Sequence, residues 1–237
     1  MSDSASQPPA AAEEFDSGSG VAGRGHISTA QKVLETGASM VQDFTPLKNI
    51  CAYLNAFHIY QSDPSRLVEA QHYCSHISND VRQCLIYDSG APNARLIGVE
   101  YMISKELYET LEPEEKKLWH SHAFEVMSGM LIMPKPRTSL VPDFLWDKAE
   151  TREMEEVVSL YGKTFHFWEV DKGHNLPLGM PKLMMSFVKE SPGFEKAVAD
   201  RDSRFGTDRK HKAELRKHIQ VPEVHPEADQ WDHSKQA

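Results

Sequence analysis

Apolar and polar positions follow two different periods along this chain. From Ser28 the spacing is helical: Val33, Leu34, Met40 and Val41 fall on one face, although Gly37 weakens the helix. Ser28-Thr29-Ala30-Gln31 has the spacing of a capping box, with Ser28 as N-cap. Pro46 sits where a first helical turn tolerates proline. Leu47, Ile50, Cys51, Leu54 and Phe57 continue at helical spacing and predict a second helix that delivers His58. Strand chemistry follows. Cys84-Leu85-Ile86-Tyr87 and Arg95 to Ile103 flank the turn residues Ser89-Gly90-Ala91-Pro92-Asn93, which predicts a hairpin. Ser104 to Leu111 reads as a short helix, and Pro113-Glu114-Glu115 starts another turn. His120 to Met133 reads as a strand ended by Pro134 and Pro136. Thr151 to Tyr161 reads as a helix with Gly162 as its C-terminal cap, and Phe165 to Val170 as a strand. Ser191 to Phe205 predicts a helix, and Asp208 to His218 a basic, exposed one.

These elements predict an α+β fold: a single domain with an antiparallel sheet flanked by helices. Residues 1–27 are rich in Ser, Ala, Gly, Pro and acidic groups, which bury too little apolar surface to offset their ordering entropy, and they read as a disordered tail. The domain is expected over 28–205, with a polar helix and tail over 206–237, disordered from about Val221. A hydrophobic content of 40% with four tryptophans supports a sizeable core. The net charge of −9 opposes non-specific nucleic-acid binding and simple adsorption to anionic lipid. The N-terminal stretch has no apolar signal region, and no apolar run is long enough to span a bilayer. Cys51, Cys74 and Cys84 lack C-x-x-C spacing and read as free, buried thiols in a reducing compartment.

The histidines carry the candidate chemistry. His58, His72, His76, His120, His122, His166 and His174 all lie in the central segment. His72 and His76, four residues apart, share a face in either a helix or a strand. The residues around them favour a strand; a helix would add Glu69 to the same face. His120 and His122 share one face of a strand. With Glu125 they resemble the H-x-H…E metal motif of cupins, but the spacing is short, the downstream proline-glycine and histidine block is absent, and a strand would point Glu125 away from His122. A divalent transition metal is the cofactor this pattern suggests, with His72, His76, His120 and His122 as ligands and His58 or His174 near enough to join. The plainer reading is a set of buried histidines bonded to backbone. Phe165 to Val170 reads as a central strand covered on both faces, and His174 to Pro181 as an ordered loop. Cys74 is a candidate nucleophile, with a buried inert thiol as the ordinary alternative. The methionine-rich runs Met127 to Met133 and Met180 to Phe187 read as core, with lipid contact as the alternative. No dinucleotide fingerprint, P-loop, nucleophile elbow or H-E-x-x-H is present.

Several longer stretches share one likeness. Phe57-His58-x-Tyr60, Val68-Glu-Ala-x-His72-Tyr-Cys-Ser-His76, Val81-Arg-Gln-Cys-Leu-Ile-Tyr-Asp88, Ala94-Arg-Leu-Ile-Gly-Val-Glu-Tyr101, Glu115-Lys-Lys-Leu-Trp-His-Ser-His122 and Tyr161-Gly-Lys-x-Phe-His-Phe-Trp168 resemble the oil body-associated protein family. The resemblance runs from about Thr45 to Phe187. It implies a cytoplasmic protein associated with lipid droplets, the oil bodies of seeds, with a part in droplet formation or stability and no settled catalysis. Its partner would be the droplet surface or a droplet protein, reached without a spanning helix. Two further readings stand beside it: a histidine-based metal-dependent enzyme, and a binding module whose histidines are structural.

A chain beginning at Ser28 is expected to melt like the full chain. A fall of more than about 4 °C, or about 1 kcal/mol for a domain of this size, would give the N-terminal segment a role in folding.

Overall fold

The computed structural model describes Val21 and residues 27–231. By its internal contacts the chain divides into two units, residues 1–43 and 44–237. In the first, helix α1 spans Thr29–Val41, and its N-cap Ser28 accepts from the Gln31 N–H at 3.2 Å, as the capping box predicts. None of its residues is buried, and Val33 and Leu34 are each 67% exposed. The disorder expected before Ser28 lies outside the described residues, apart from Val21 and Ile27; so does any expected of 232–237.

The second unit starts with the short helix α2, Thr45–Lys48, but Leu54, Phe57 and His58 lie on a strand, β1, Ala52–Tyr60. The segment Asn55–Tyr60 is buried at every position, and a run buried on both faces also satisfies helical spacing. The strands β2 (Asp63–His76), β3 (Val81–Tyr87) and β4 (Leu96–Ile103) follow as antiparallel neighbours. Helices α3, Lys105–Glu109, and α4, Pro113–Lys116, lead to β5, His120–Ser121. The strand expected to continue to Met133 stops there. Ala123–Met127 forms helix α5, and Gly129 turns the chain at φ 74°. Helix α6, Asp143–Val157, precedes β6, Tyr161–His166. Gly162 therefore lies inside β6 and does not cap the helix. After a 3-10 turn at Val170–Lys172 come β7, Lys182–Ser186, and helices α7, Pro192–Phe205, and α8, Arg209–Leu215.

The predicted sheet does not stay open. β4 pairs with β6 from Gly98↔His166 to Ile103↔Tyr161, closing a six-stranded antiparallel barrel. The other edge of β6 is shared: β7 pairs with Thr164–His166, and β5 with Tyr161 and Gly162. Closure removes the free edges of an open sheet. Outside the barrel, Phe57, Ile59 and Met185 pack with Met154, Val157, Phe194 and Val198 of the covering helices. Inside, one end is filled by Tyr60, Val68, Ala70, Ile86 and Met184, the other by Cys74, Cys84, Met102 and Leu160. Most of both methionine-rich runs is core: Met130, Leu131, Met184, Met185 and Phe187 are buried, while Met180 stays exposed.

Two further expectations change. Cys74 and Cys84, directly opposite across β2 and β3, form a disulfide, so neither is a free thiol or a nucleophile, and the remaining cysteine, Cys51, is exposed. Only the strand register brings Cys74 and Cys84 together. The basic C-terminal helix is also more than a solvated surface. Lys212 donates to Asp147 at 2.6 Å and to Glu150 at 2.7 Å, while Arg216 donates to Glu150 and to the carbonyls of Val126 and Leu131 at 2.8 and 2.9 Å. Beyond Val221 the chain packs as well: the buried Asp229 carboxylate accepts from the Ser121 N–H and Oγ, both at 2.8 Å, and so fastens β5.

Glu150→Ala would leave two cations packed without their common carboxylate. It is expected to lower stability by about 3–5 kcal/mol, read from urea unfolding midpoints. A loss below about 1 kcal/mol would mean that the cations find water or other partners.

Candidate functional site

Between its two apolar ends the barrel holds a polar belt. Strand alternation turns His58 of β1, His72 of β2, Glu100 of β4, His120 of β5 and His166 of β6 inward, and His122 and Glu125 join them from the start of α5. None of these seven is more than 2% exposed. Glu100 lies at the centre. Its Oε2 is 3.1 Å from His72 Nε2, and its Oε1 is 3.1 Å from His120 Nε2 and 3.6 Å from His122 Nε2. Beyond His72, its Nε2 meets His58 Nε2 at 3.1 Å, and His58 Nδ1 meets His166 Nε2 at 3.1 Å.

Backbone carbonyls set the tautomers. His72 Nδ1 lies 3.2 Å from the Ala70 carbonyl, and His122 Nδ1 lies 2.9 Å from that of Leu160. A carbonyl only accepts, so each Nδ1 carries a proton and donates, and in the neutral ring Nε2 is the lone-pair nitrogen. In both residues that nitrogen faces Glu100. His58 then donates its Nε2–H to His72 and accepts at Nδ1 from His166.

Burial pushes the Glu100 carboxyl up, but contacts with His120, His122 and His72 more than reverse this and hold it well below the usual carboxylate range. Burial also pulls His122 down, yet Glu100, Glu125 and the Leu160 carbonyl raise it to about 9. Burial, then His72, depress His58 well below its ordinary value and His166 to about 3. Burial raises Glu125. The belt thus pairs an ionised carboxylate with one cationic ring and keeps two rings neutral.

Of the candidates read from sequence, His58, His72, His120 and His122 converge. His76 does not: it sits exposed at the end of β2, opposite Arg82. His174 lies in the loop after the 3-10 turn, where its carbonyl accepts from Trp168 Nε1 at 2.9 Å, outside the clustered donors. Glu125, expected to point away from His122, lies 3.7 Å from it, because one helical turn brings residue i+3 back to the same side. Glu69 is occupied by Asn55 Nδ2 at 2.8 Å. Sequence reasoning missed Glu100 and His166. The available signal for Glu100 was a lone carboxylate in the otherwise apolar run Leu96–Ile103, costly to bury unless paired. His166 was hidden in an aromatic run that reads as core.

Two glycines make room for the belt. A Cβ at Gly162 would collide with Glu100 Oε1 and lie 2.6 Å from His120 Nε2 and 2.8 Å from His122 Cε1. At Gly98 it would meet the Phe165 carbonyl and His166.

The fold and belt define a closed antiparallel α+β barrel with an ionised interior. Among the described residues no helix is long and apolar enough to cross a membrane. The family model "Protein of unknown function (DUF1264)" matches residues 44–220. Oil body-associated protein 1B of Arabidopsis thaliana is 43% identical over 203 residues, 85% of this chain and 80% of that protein. Oil body-associated protein 1A of Zea mays is also 43% identical over 203 residues, 85% of this chain and 82% of the relative. Oil body-associated protein 2A of Zea mays is 37% identical over 208 residues, 86% and 79% of the two chains. No solved structure matches. The chain belongs to the oil body-associated protein family, as its motifs imply.

Gly162→Ala is expected to cost about 1–3 kcal/mol or more, because the new methyl meets buried polar atoms in a closed space. Thermal unfolding checks this, and an unchanged midpoint would show that the belt can yield.

Proposed function

We propose that this protein attaches peripherally to the lipid-droplet surface, from the cytoplasmic side, and contributes to droplet formation or stability. The observation that carries this reading is membership of a family whose relatives are named for oil bodies. Helix α1 supports the mode of attachment. Val33, Leu34, Met40 and Val41 form an exposed apolar stripe, opposed by Lys32, Glu35, Thr36 and Ser39. Lys32 and Glu35 offset each other, so the stripe, not charge, supplies the attraction, in keeping with the net charge of −9. A droplet is an apolar phase under one lipid layer, which an interfacial helix can enter without spanning anything.

Full-length protein is expected to float with droplets and to be released by alkaline carbonate or urea. Replacing Val33 and Leu34 with aspartate should shift it to the soluble fraction without lowering its melting temperature, since neither residue is buried. Resistance to both washes would contradict peripheral attachment. A cytosolic distribution of the unmodified chain in droplet-rich cells would refute droplet association. Retention of the double variant on droplets would move attachment to a protein partner.

A further inference from the structure

We propose that the barrel interior binds one divalent first-row transition-metal ion through Glu100, His120 and His122. This rests on the barrel alone and is independent of the droplet reading.

The donor geometry fits an ion. Donors about 2.1 Å from a tetrahedral metal stand roughly 3.4 Å from one another. The Nε2 atoms of His120 and His122 lie 3.1 and 3.6 Å from one Glu100 oxygen, Oε1, which brackets that spacing, while His72 Nε2 lies 3.1 Å from the other, Oε2. The ligand atoms of Glu100, His120 and His122 all lie within 4.8 Å of one another, as do those of His58, His72 and Glu100.

Hydrogen bonding leaves the centre unresolved. Both Glu100 oxygens and both His120 nitrogens are buried without an aligned hydrogen bond. His72 and His122 spend their Nδ1 protons on backbone carbonyls, so the nitrogen each turns toward Glu100 is Nε2, the atom that carries the lone pair once the ring is neutral. A carbonyl behind each imidazole is how metal-binding histidines are oriented and made more basic. A metal ion would displace the Nε2 proton of His122 and bind beside the Glu100 carboxylate, since ligating imidazoles are deprotonated. Two imidazole nitrogens and one carboxylate oxygen select zinc, iron(II), cobalt, nickel or manganese over calcium and magnesium, which take mainly oxygen.

The ion would also have mechanical work. Its ligands come from β4, β5 and the residue that begins α5. β5 has only two residues and fills the gap that β7 leaves along β6. Coordination would tie this shortest strand across β6 to β4.

The test uses full-length protein without a histidine tag. Elemental analysis after purification is expected to find one transition-metal ion per chain. After removal of that ion by chelator, titration with Co²⁺ should give visible ligand-field bands that saturate at one equivalent, together with a rise in melting temperature. Glu100→Gln and His120→Ala should weaken Co²⁺ binding by about 10-fold or more. His76→Ala, at an exposed histidine outside the belt, should leave it unchanged. Folded unmodified protein that carries no ion and takes up no Co²⁺ would overturn the proposal and make the belt a closed hydrogen-bonded network. The proposal also fails if binding is stoichiometric but survives in folded Glu100→Gln and His120→Ala, or is lost in His76→Ala. Because the unmodified chain is decisive by itself, a variant that fails to fold does not protect the idea.

Discussion

An ionised carboxylate at the centre of a closed barrel constrains the surrounding chain. Glu100 is 1% exposed, and a charge so placed costs several kcal/mol unless it is matched. Three imidazoles from β2, β5 and the start of α5 surround it, and the carbonyls of Ala70 and Leu160 aim the rings of His72 and His122. Gly162 and Gly98 leave the volume that the rings occupy. A change in any one of these elements is felt at Glu100, since both ends of the barrel are plugged by packed side chains.

The same dependence explains the packing of the C-terminal segments. β5 carries His120, yet only two residue pairs hold it to β6. Asp229 adds two hydrogen bonds to Ser121, and Arg216 ties the carbonyls of Val126 and Leu131 to Glu150 of α6. Segments with the composition of a polar tail and a solvated helix therefore clamp the weakest strand of the barrel. Their charges are buried in pairs, which makes them specific in position and intolerant of losing one partner.

The exposed apolar stripe and the buried histidine–glutamate belt fall in different parts of the chain. The exposed apolar stripe belongs to the unit of residues 1–43, and the histidine–glutamate belt to the unit of residues 44–237. One is apolar area left exposed, the other charge withheld from water, so each can be altered without removing the physical basis of the other.

The sequence by itself determined the local features. The Ser28 cap, the hairpin of β3 and β4, the helix that follows Ser191, the α+β class and the family were all legible, because each rests on neighbouring residues or on long contiguous motifs. His120 and His122 do meet, but where β5 ends and α5 begins, not along the strand their spacing predicts. Tertiary structure decided what depends on closure. β1 reads as a helix in the sequence because burial on both faces erases the alternation that marks a strand. His76 and His174 fall outside the belt because position along a barrel wall, not spacing, decides which histidines reach the interior. Glu100 and His166 join it because the β4–β6 register, which no local pattern encodes, sets Gly98 opposite His166 and Glu100 opposite Thr164. Cys74 and Cys84 are bonded for the same reason: residues ten apart in sequence become direct neighbours only once two strands choose their register.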